Sequence, residues 1–288
     1  MIYSKGEKAF GWLNYMCLSL LGLSMLLPFI HLLAKALSDE SYVLAHEITF
    51  WPKGMHFDSF AYVLNNQQFI KTFGNSVFIT LVGTLLSLLI TMLAAYPLSK
   101  AGFPGRRFIL FLYVLTMFFS GGIIPTYLVV KGIGMTNTIW SMIIPTLVAP
   151  FNLILMRSFF MGIPDALDES AKIDGASNTR ILFSIYVPLS MSSIATISMF
   201  YAVGYWNNFF SAMLYITDRN LMPLQVYLMS IIQDENNVSM SNVEALMNSA
   251  PESIRAATII AAVVPILLIY PFLQKYFVKG ALVGAVKE

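Results

Sequence analysis

Charged residues punctuate this chain at long intervals. The stretches 9–34, 72–99, 108–130, 132–156, 181–217 and 256–274 contain no Asp, Glu, Lys or Arg, over 26, 28, 23, 25, 37 and 19 residues respectively. A helix needs ~20 mainly apolar residues to cross ~30 Å of hydrocarbon. The pattern predicts an all-α membrane protein with six transmembrane helices, at about 12–35, 73–97, 108–130, 137–157, 186–206 and 255–277. As one continuous helix the fifth stretch would reach about 55 Å, so 181–185 and 207–217 are read as span ends.

Between the spans the pattern changes character. Residues 36–70 form a polar connection in which Asp58 is placed to cap a short helix beginning at Ser59. Lys100 to Arg107 contain Gly102, Pro104 and Gly105 and read as a tight turn. Gly121, Gly122 and Pro125 interrupt the third span, which marks either a pathway lining or a packing kink. Residues 207–253 read as a loop with short helices. The whole of 1–288 is expected to form one transmembrane domain.

Composition sharpens this picture. Of 288 residues, 57% are hydrophobic and 11% charged, against a soluble norm of about 25% charged. That excludes a disordered chain, a disulfide scaffold and an ordinary soluble globule. The net charge of +2 shows no basic surplus directed at nucleic acid. Lys5 and Lys8 before the first apolar run imitate a secretory signal, with Ala34-Lys35-Ala36 as a cleavage site. The run of 26 residues exceeds the roughly 7–15 of a signal core, so it is read as an uncleaved span.

The distribution of cations orients the bundle. With six spans both termini lie on one side, which then holds 11 of the 17 Lys and Arg residues, leaving six opposite. The positive-inside rule makes that side cytoplasmic. Localisation is therefore the cell membrane, multi-pass, with both termini in the cytoplasm.

Catalytic and metal constellations are missing. Cys17 is alone, so it has no internal disulfide or thiol pair for a metal. His31, His46 and His56 have no helical pairing, and no HExxH, GxSxG or GxxxxGK[ST] pattern occurs. No cofactor or metal is expected in this chain, and no enzymatic activity. The spans also hold no acids, whereas ion-coupled carriers usually place ionisable groups at membrane depth. An ion-coupled secondary carrier of a small polar solute is the alternative reading.

The cytoplasmic segment 158–184 carries the most information. Asp165 is placed to cap a short helix, with Asp168 and Glu169 near its positive end. Asp168 and Lys172 are spaced to pair, and Gly175 is a helix stop. Ala166, Ser170, Ala171 and Ala176 keep the helix slim, which suits a groove on another protein or the inner membrane surface.

This segment resembles the EAA loop of ABC importer permeases. Glu169-Ser170-Ala171, three intervening residues, Gly175, nine more, then Ile185-Tyr186-Val187-Pro188 keep its spacing, with Ser170 for Ala and Val187 for Leu. Gly74-Asn75-Ser76, Gly122 to Tyr127, Met156 to Phe160, Trp206 to Phe209 and Phe277 to Gly280 are similar to the carbohydrate branch, most of all to MalG-like second permease subunits of the LplC-type oligosaccharide group.

The resemblance implies the ABC importer type I permease fold. It implies a second permease subunit, two cytoplasmic ATPase subunits that hold ATP and Mg, and an extracytoplasmic solute-binding protein that delivers carbohydrate. It implies ATPase docking through Asp168, Glu169, Ser170, Ala171, Asp174, Gly175, Ala176 and Pro188, and a tail contact through Lys279 and Lys287. By residue type and span position, Tyr127, Asn152, Tyr201, Trp206 and Asn207 are pathway candidates. For Trp206 and Tyr205 an interfacial aromatic belt is the competing reading.

Overall fold

The computed structural model describes residues 5–237 and 251–285. Helix α1 (Lys5–Ala36) holds the first apolar stretch, followed by α2 (Glu40–Leu44), α3 (Asp58–Asn65) and α4 (Gln67–Ser99). Next come α5 (Arg106–Phe118), α6 (Ile123–Gly132) and α7 (Trp140–Ile143), the last running into a 3₁₀ turn at Ile144–Thr146. Then follow α8 (Pro150–Met161), α9 (Asp165–Ile173) and α10 (Asn178–Ile181). A π turn (Leu182–Tyr186), α11 (Val187–Leu189), α12 (Met191–Trp206), α13 (Phe210–Tyr215), α14 (Leu224–Asn237) and α15 (Glu252–Ala285) complete the order. Among the described residues there is no strand.

Among the described residues, three helices are long and apolar enough to cross a membrane on their own: Gly6–Ala36, Gln67–Ser99 and Glu252–Ile269. Three bent pairs meet the same standard only when their halves are joined, α5 with α6 at 118°, α7 with α8 at 51°, and Asn178–Leu189 with α12 at 88°, each the shape of a broken span or a re-entrant loop. Counting each pair as one gives six.

The breaks fall where the sequence weakens the helix. The chain between α5 and α6 is Phe119-Ser120-Gly121-Gly122, and Pro150 starts α8 at its first position, where a missing N–H costs nothing. Residues 181–185, read as a span end, lie before an 88° elbow that separates them from α12. Pro188 cannot donate to the carbonyl of Ser184, the ladder widens into the π turn just before it, and the chain swings at Ser190. Residues 207–217 likewise do not prolong the fifth span: a turn at Asn207 ends α12 before the short α13.

The chain divides into two compact units. The first comprises 1–70 and 228–265. There Asn66 caps α4, its Oδ1 accepting from the N–H groups of Gln68 and Phe69 at 2.9 and 3.1 Å. Asp58 is the first residue of α3 and not its cap, which falls on Phe57 without a side-chain bond. Glu40 accepts from the N–H groups of Glu252 and Ser253 at 2.9 and 3.1 Å, and Lys35 pairs with Glu252, so the positive start of α15 is held by two carboxylates.

The second unit comprises 71–227 and 266–288. Its core joins α4, α8, the π turn and α12 through Ile79, Leu153, Met156, Phe160, Ile181, Tyr186 and Ile197, each at most 1% exposed. Gly83 is the point of closest approach between α4 and α12, since a Cβ there would lie 2.8 Å from the ring of Tyr205.

Candidate functional site

The EAA-like residues fold into α9 and the turn after it. Pro164 occupies the cap position without a side-chain bond, so Asp165 opens the helix and does not cap it. Proline is disfavoured inside a helix but sets the chain direction well just ahead of one. At the other end the N–H of Gly175 donates to the carbonyl of Lys172 at 3.0 Å, and that of Ala176 to Ala171 at 2.9 Å. Gly175 has φ of +78°, so this pair of bonds is a Schellman stop that glycine supplies without strain.

The two faces of α9 differ sharply. Asp168 is buried, 4% exposed, and points into the protein. Its carboxylate takes Lys100 Nζ at 2.8 Å, Lys172 Nζ at 2.7 Å and the Tyr96 hydroxyl at 3.1 Å. Burial works against its charge, but the hydrogen bonds from Lys100 and Lys172 prevail and hold its pKa below the ordinary carboxylate value. Burial likewise opposes the Lys100 ammonium, and bonds to Asp168 and the Tyr186 hydroxyl overcome it and raise its pKa. Lys100 also lies over the rings of Tyr186 and Tyr96, at 4.4 and 5.0 Å from their centroids.

Glu169, Ser170, Asp174 and Gly175 are exposed, and Ala171 and Ala176 half-exposed. Ile173 is 87% exposed, an apolar side chain standing clear of its own protein. Beside it Ala171, Asp174, Ala176, Arg180, Ser184 and Ile185 line a depression of about 220 Å³. Pro188 is exposed but lies on the elbow, apart from this depression. Lys279 falls on the backbone of α15, and Lys287 lies outside the described residues.

The pathway candidates do not gather in one place. Asn152 and Tyr201 line a cavity of about 300 Å³ together with Thr146, Phe200, Tyr205 and Asn208. Tyr201 is fixed by its hydroxyl, 2.8 Å from Thr91 Oγ1 and accepting from the N–H of Ala149 at 3.1 Å. Tyr127 is elsewhere, stacked on Tyr215 with centroids 6.1 Å apart. Trp206 is buried edge-on to Phe73, and Asn207 is exposed on the turn after α12.

Neither Trp206 nor Tyr205 forms a surface belt, since each is at most 6% exposed. Tyr205 is held by Ser87 at 2.8 Å and donates to the Ile143 carbonyl at 3.3 Å. Sequence reasoning gave no site role to Tyr96, Lys100, Ile173 or Tyr186. Only Tyr96 and Lys100 left a signal, an aromatic and a cation four apart at the end of an apolar run. Among the described residues no group of His, Cys, Asp and Glu could hold a metal ion.

With this geometry in view, comparison with known proteins is informative. Residues 87–282 match the family described as binding-protein-dependent transport system inner membrane component. The chain is 42% identical to Protein LplC of Bacillus subtilis (strain 168) over 288 residues, 99% of this chain and 97% of that one. It is also 42% identical to the polygalacturonan/rhamnogalacturonan transport system permease protein YtcP of the same organism, over 98% of this chain and 99% of the relative. A solved chain from a bacterial ABC transporter involved in the import of the acidic polysaccharide alginate superposes with a TM-score of 0.88 at 32% identity, covering 96% of this chain and 99% of that one.

Proposed function

The chain belongs to the binding-protein-dependent transport system inner membrane components, and on that footing we propose that it is a permease subunit of an ATP-driven carbohydrate importer whose substrate is an oligosaccharide. Membership makes it a multi-pass membrane component of ABC transport and not itself an enzyme. Two of the proteins similar to it carry polysaccharide transport in their names. The substrate class rests on that similarity and on a cavity lined by Asn152, Tyr201, Tyr205 and Asn208, which offers aromatic faces with converging hydrogen-bonding groups.

The observation that carries the mechanism is the two-sided helix α9. Its inner face is bolted to the bundle through Asp168, and its outer face presents Glu169, Ser170, Asp174 and the bare Ile173. Such a helix behaves as a rigid knob. Docked in a cleft on a cytoplasmic ATPase subunit, it turns nucleotide-driven closure of the motor into movement of the bundle. In this arrangement Ala171, Gly175 and Ala176 allow close approach, Pro188 shapes the elbow behind the knob, and Asp168 holds the knob in place.

Two ATPase subunits would hold ATP and Mg, a second permease subunit would complete the pathway, and an extracytoplasmic binding protein would deliver the sugar. Both termini lie in the cytoplasm, the whole chain works as one permease domain, and Lys279 and Lys287 of the tail give a second ATPase contact.

The test is reconstitution in vesicles with the cognate ATPase, second permease and binding protein. Glu169→Lys should leave the permease pair folded and lower ATPase capture about tenfold or more, since reversing a charge at a docking contact costs a coupling of that order. Undiminished capture would remove α9 from the docking role. Uptake that ignores ATP and collapses with an ion gradient would establish a secondary carrier instead.

A further inference from the structure

Lys100 stands where separate stretches of chain meet. It follows directly on α4, whose last turn is also gripped by Arg157, the Nε of which donates to the carbonyl of Leu98 at 2.8 Å. Its ammonium reaches Asp168 on α9 at 2.8 Å and the hydroxyl of Tyr186 on the π turn. Tyr186 in turn meets Tyr96 and Phe160 edge to face, with centroids 5.0 and 5.4 Å apart. Only 20% of the Lys100 side chain is exposed.

Further along α4 two hydroxyls touch the cavity wall from behind. Thr91 is 2.8 Å from the hydroxyl of Tyr201, and Ser87 is 2.8 Å from that of Tyr205. Polar contacts therefore tie α9 to Lys100 and to Tyr96 at the inner end of α4, and the body of α4 connects these to two of the side chains that line the cavity.

The covalent route is poorer. From α9 to α12 the backbone passes through the Gly175 turn, the π turn and the 88° elbow at Ser190, none of which transmits a push well.

We propose that Lys100 is the positioning residue that carries displacement of α9 into α4 and so into the cavity wall at Tyr201 and Tyr205. This rests on α9 being the docking helix. Lys100 touches neither motor nor sugar. It makes α9, the π turn and the inner end of α4 move as one body, because displacing any of them alone costs the buried Asp168 carboxylate the less exposed of its two lysine partners, or takes the cation from the buried Tyr186 phenol.

The experiment uses the assembled importer in vesicles, with Cys17→Ser and Ser211→Cys, so that the one thiol of this chain reports from the cavity that Ser211 lines. The probe is a maleimide, and the readout is the change in labelling rate on adding ATP and Mg. Lys100→Met should still capture the ATPase subunits while the labelling response falls about fivefold or more, within the usual range of a coupling between sites. Lys100→Arg keeps the cation, the carboxylate pair and the ring contacts, and should retain the response.

An unaltered response in Lys100→Met, in a complex where Glu169→Lys still loses its ATPase, would overturn the role of Lys100 and leave docking intact. A Lys100→Met complex that loses its ATPase subunits outright would also overturn it, since Lys100 would then serve docking itself. Unaltered capture in Glu169→Lys would bring down the docking premise instead.

Discussion

Replacing Gly175 isolates the backbone contribution to the knob. A Cβ at this position would meet nothing within 4 Å, so alanine fits in space. The cost is conformational: φ of +78° is left-handed, and a residue with a Cβ loses roughly 1–2 kcal/mol there. Nine residues are too few to sustain α9 alone, since isolated helices need about 12–15 to be even marginal. Asp168 anchors the middle of the helix, but its last turn depends on the two bonds of the Schellman stop, from Gly175 to Lys172 and from Ala176 to Ala171.

The strain therefore falls on that turn, which carries Ile173, and the rest of the bundle is spared. A loss of roughly 1–2 kcal/mol raises the frayed fraction about 5- to 30-fold. The amides of 174–176 in Gly175→Ala should exchange hydrogen faster by that factor, with Gly175→Val at the upper end. Gly175→Asn, which tolerates the left-handed region better, should lie near the parent. Capture of the ATPase should weaken in the same order while the melting temperature of the permease barely moves. If asparagine proved as damaging as valine, or alanine left exchange unchanged, the strain argument would be wrong.

Two further outcomes follow from the same geometry. Gly83→Ala forces a methyl against the Tyr205 ring, which its bonds to Ser87 and Ile143 hold in place, so detergent melts should show a loss of about 1–3 kcal/mol, partly regained with Tyr205→Leu. Asp168 has a lowered pKa in the fold, so its contribution is complete above the ordinary carboxylate value of 3.8 and fades as the pH falls through the lower folded value. A spin label at Ser170 should thus keep constant mobility from about pH 5 to 8 and loosen only below about pH 4, whereas loosening near pH 6 would show that the clasp is not what holds α9.

Much of this architecture was legible in the chain. Charge-free runs marked the apolar helices and bent pairs that are long enough to cross a membrane, because a bare charge in hydrocarbon is costly. Gly121-Gly122 marked the break between α5 and α6, and the Asp168–Lys172 spacing and Gly175 marked the body and end of α9. What escaped was direction. An i,i+4 pair lies on one side of a helix, but nothing local says whether that side faces solvent or core, and Asp168 looked as available for docking as Glu169. The answer lies in Tyr96 and Lys100, roughly seventy residues earlier, and contacts at such separation leave no periodic trace. Tyr205 and Trp206 looked like a belt for the same reason, because the small residues Gly83 and Ser87 that admit Tyr205 lie on another helix.

Burial of the Asp168 carboxylate against Lys100 and Tyr96, with the half-exposed Lys172 at its edge, also bears on why the knob is built this way. Two charges brought out of water rarely gain much stability over an apolar pair, but they are costly to separate once there. An apolar contact between α9 and α4 would slide under load, since dispersion is non-directional and each contact is worth only ~0.1–0.2 kcal/mol. The Asp168–Lys100 bond, with Lys172 and Tyr96 on the same carboxylate, fixes both position and orientation. In the docking role proposed for α9, a helix pushed and pulled by another protein without turning on its own axis would need that directional attachment on its inner face. Its outer face can then stay slim and partly apolar at Ile173, ready to be covered.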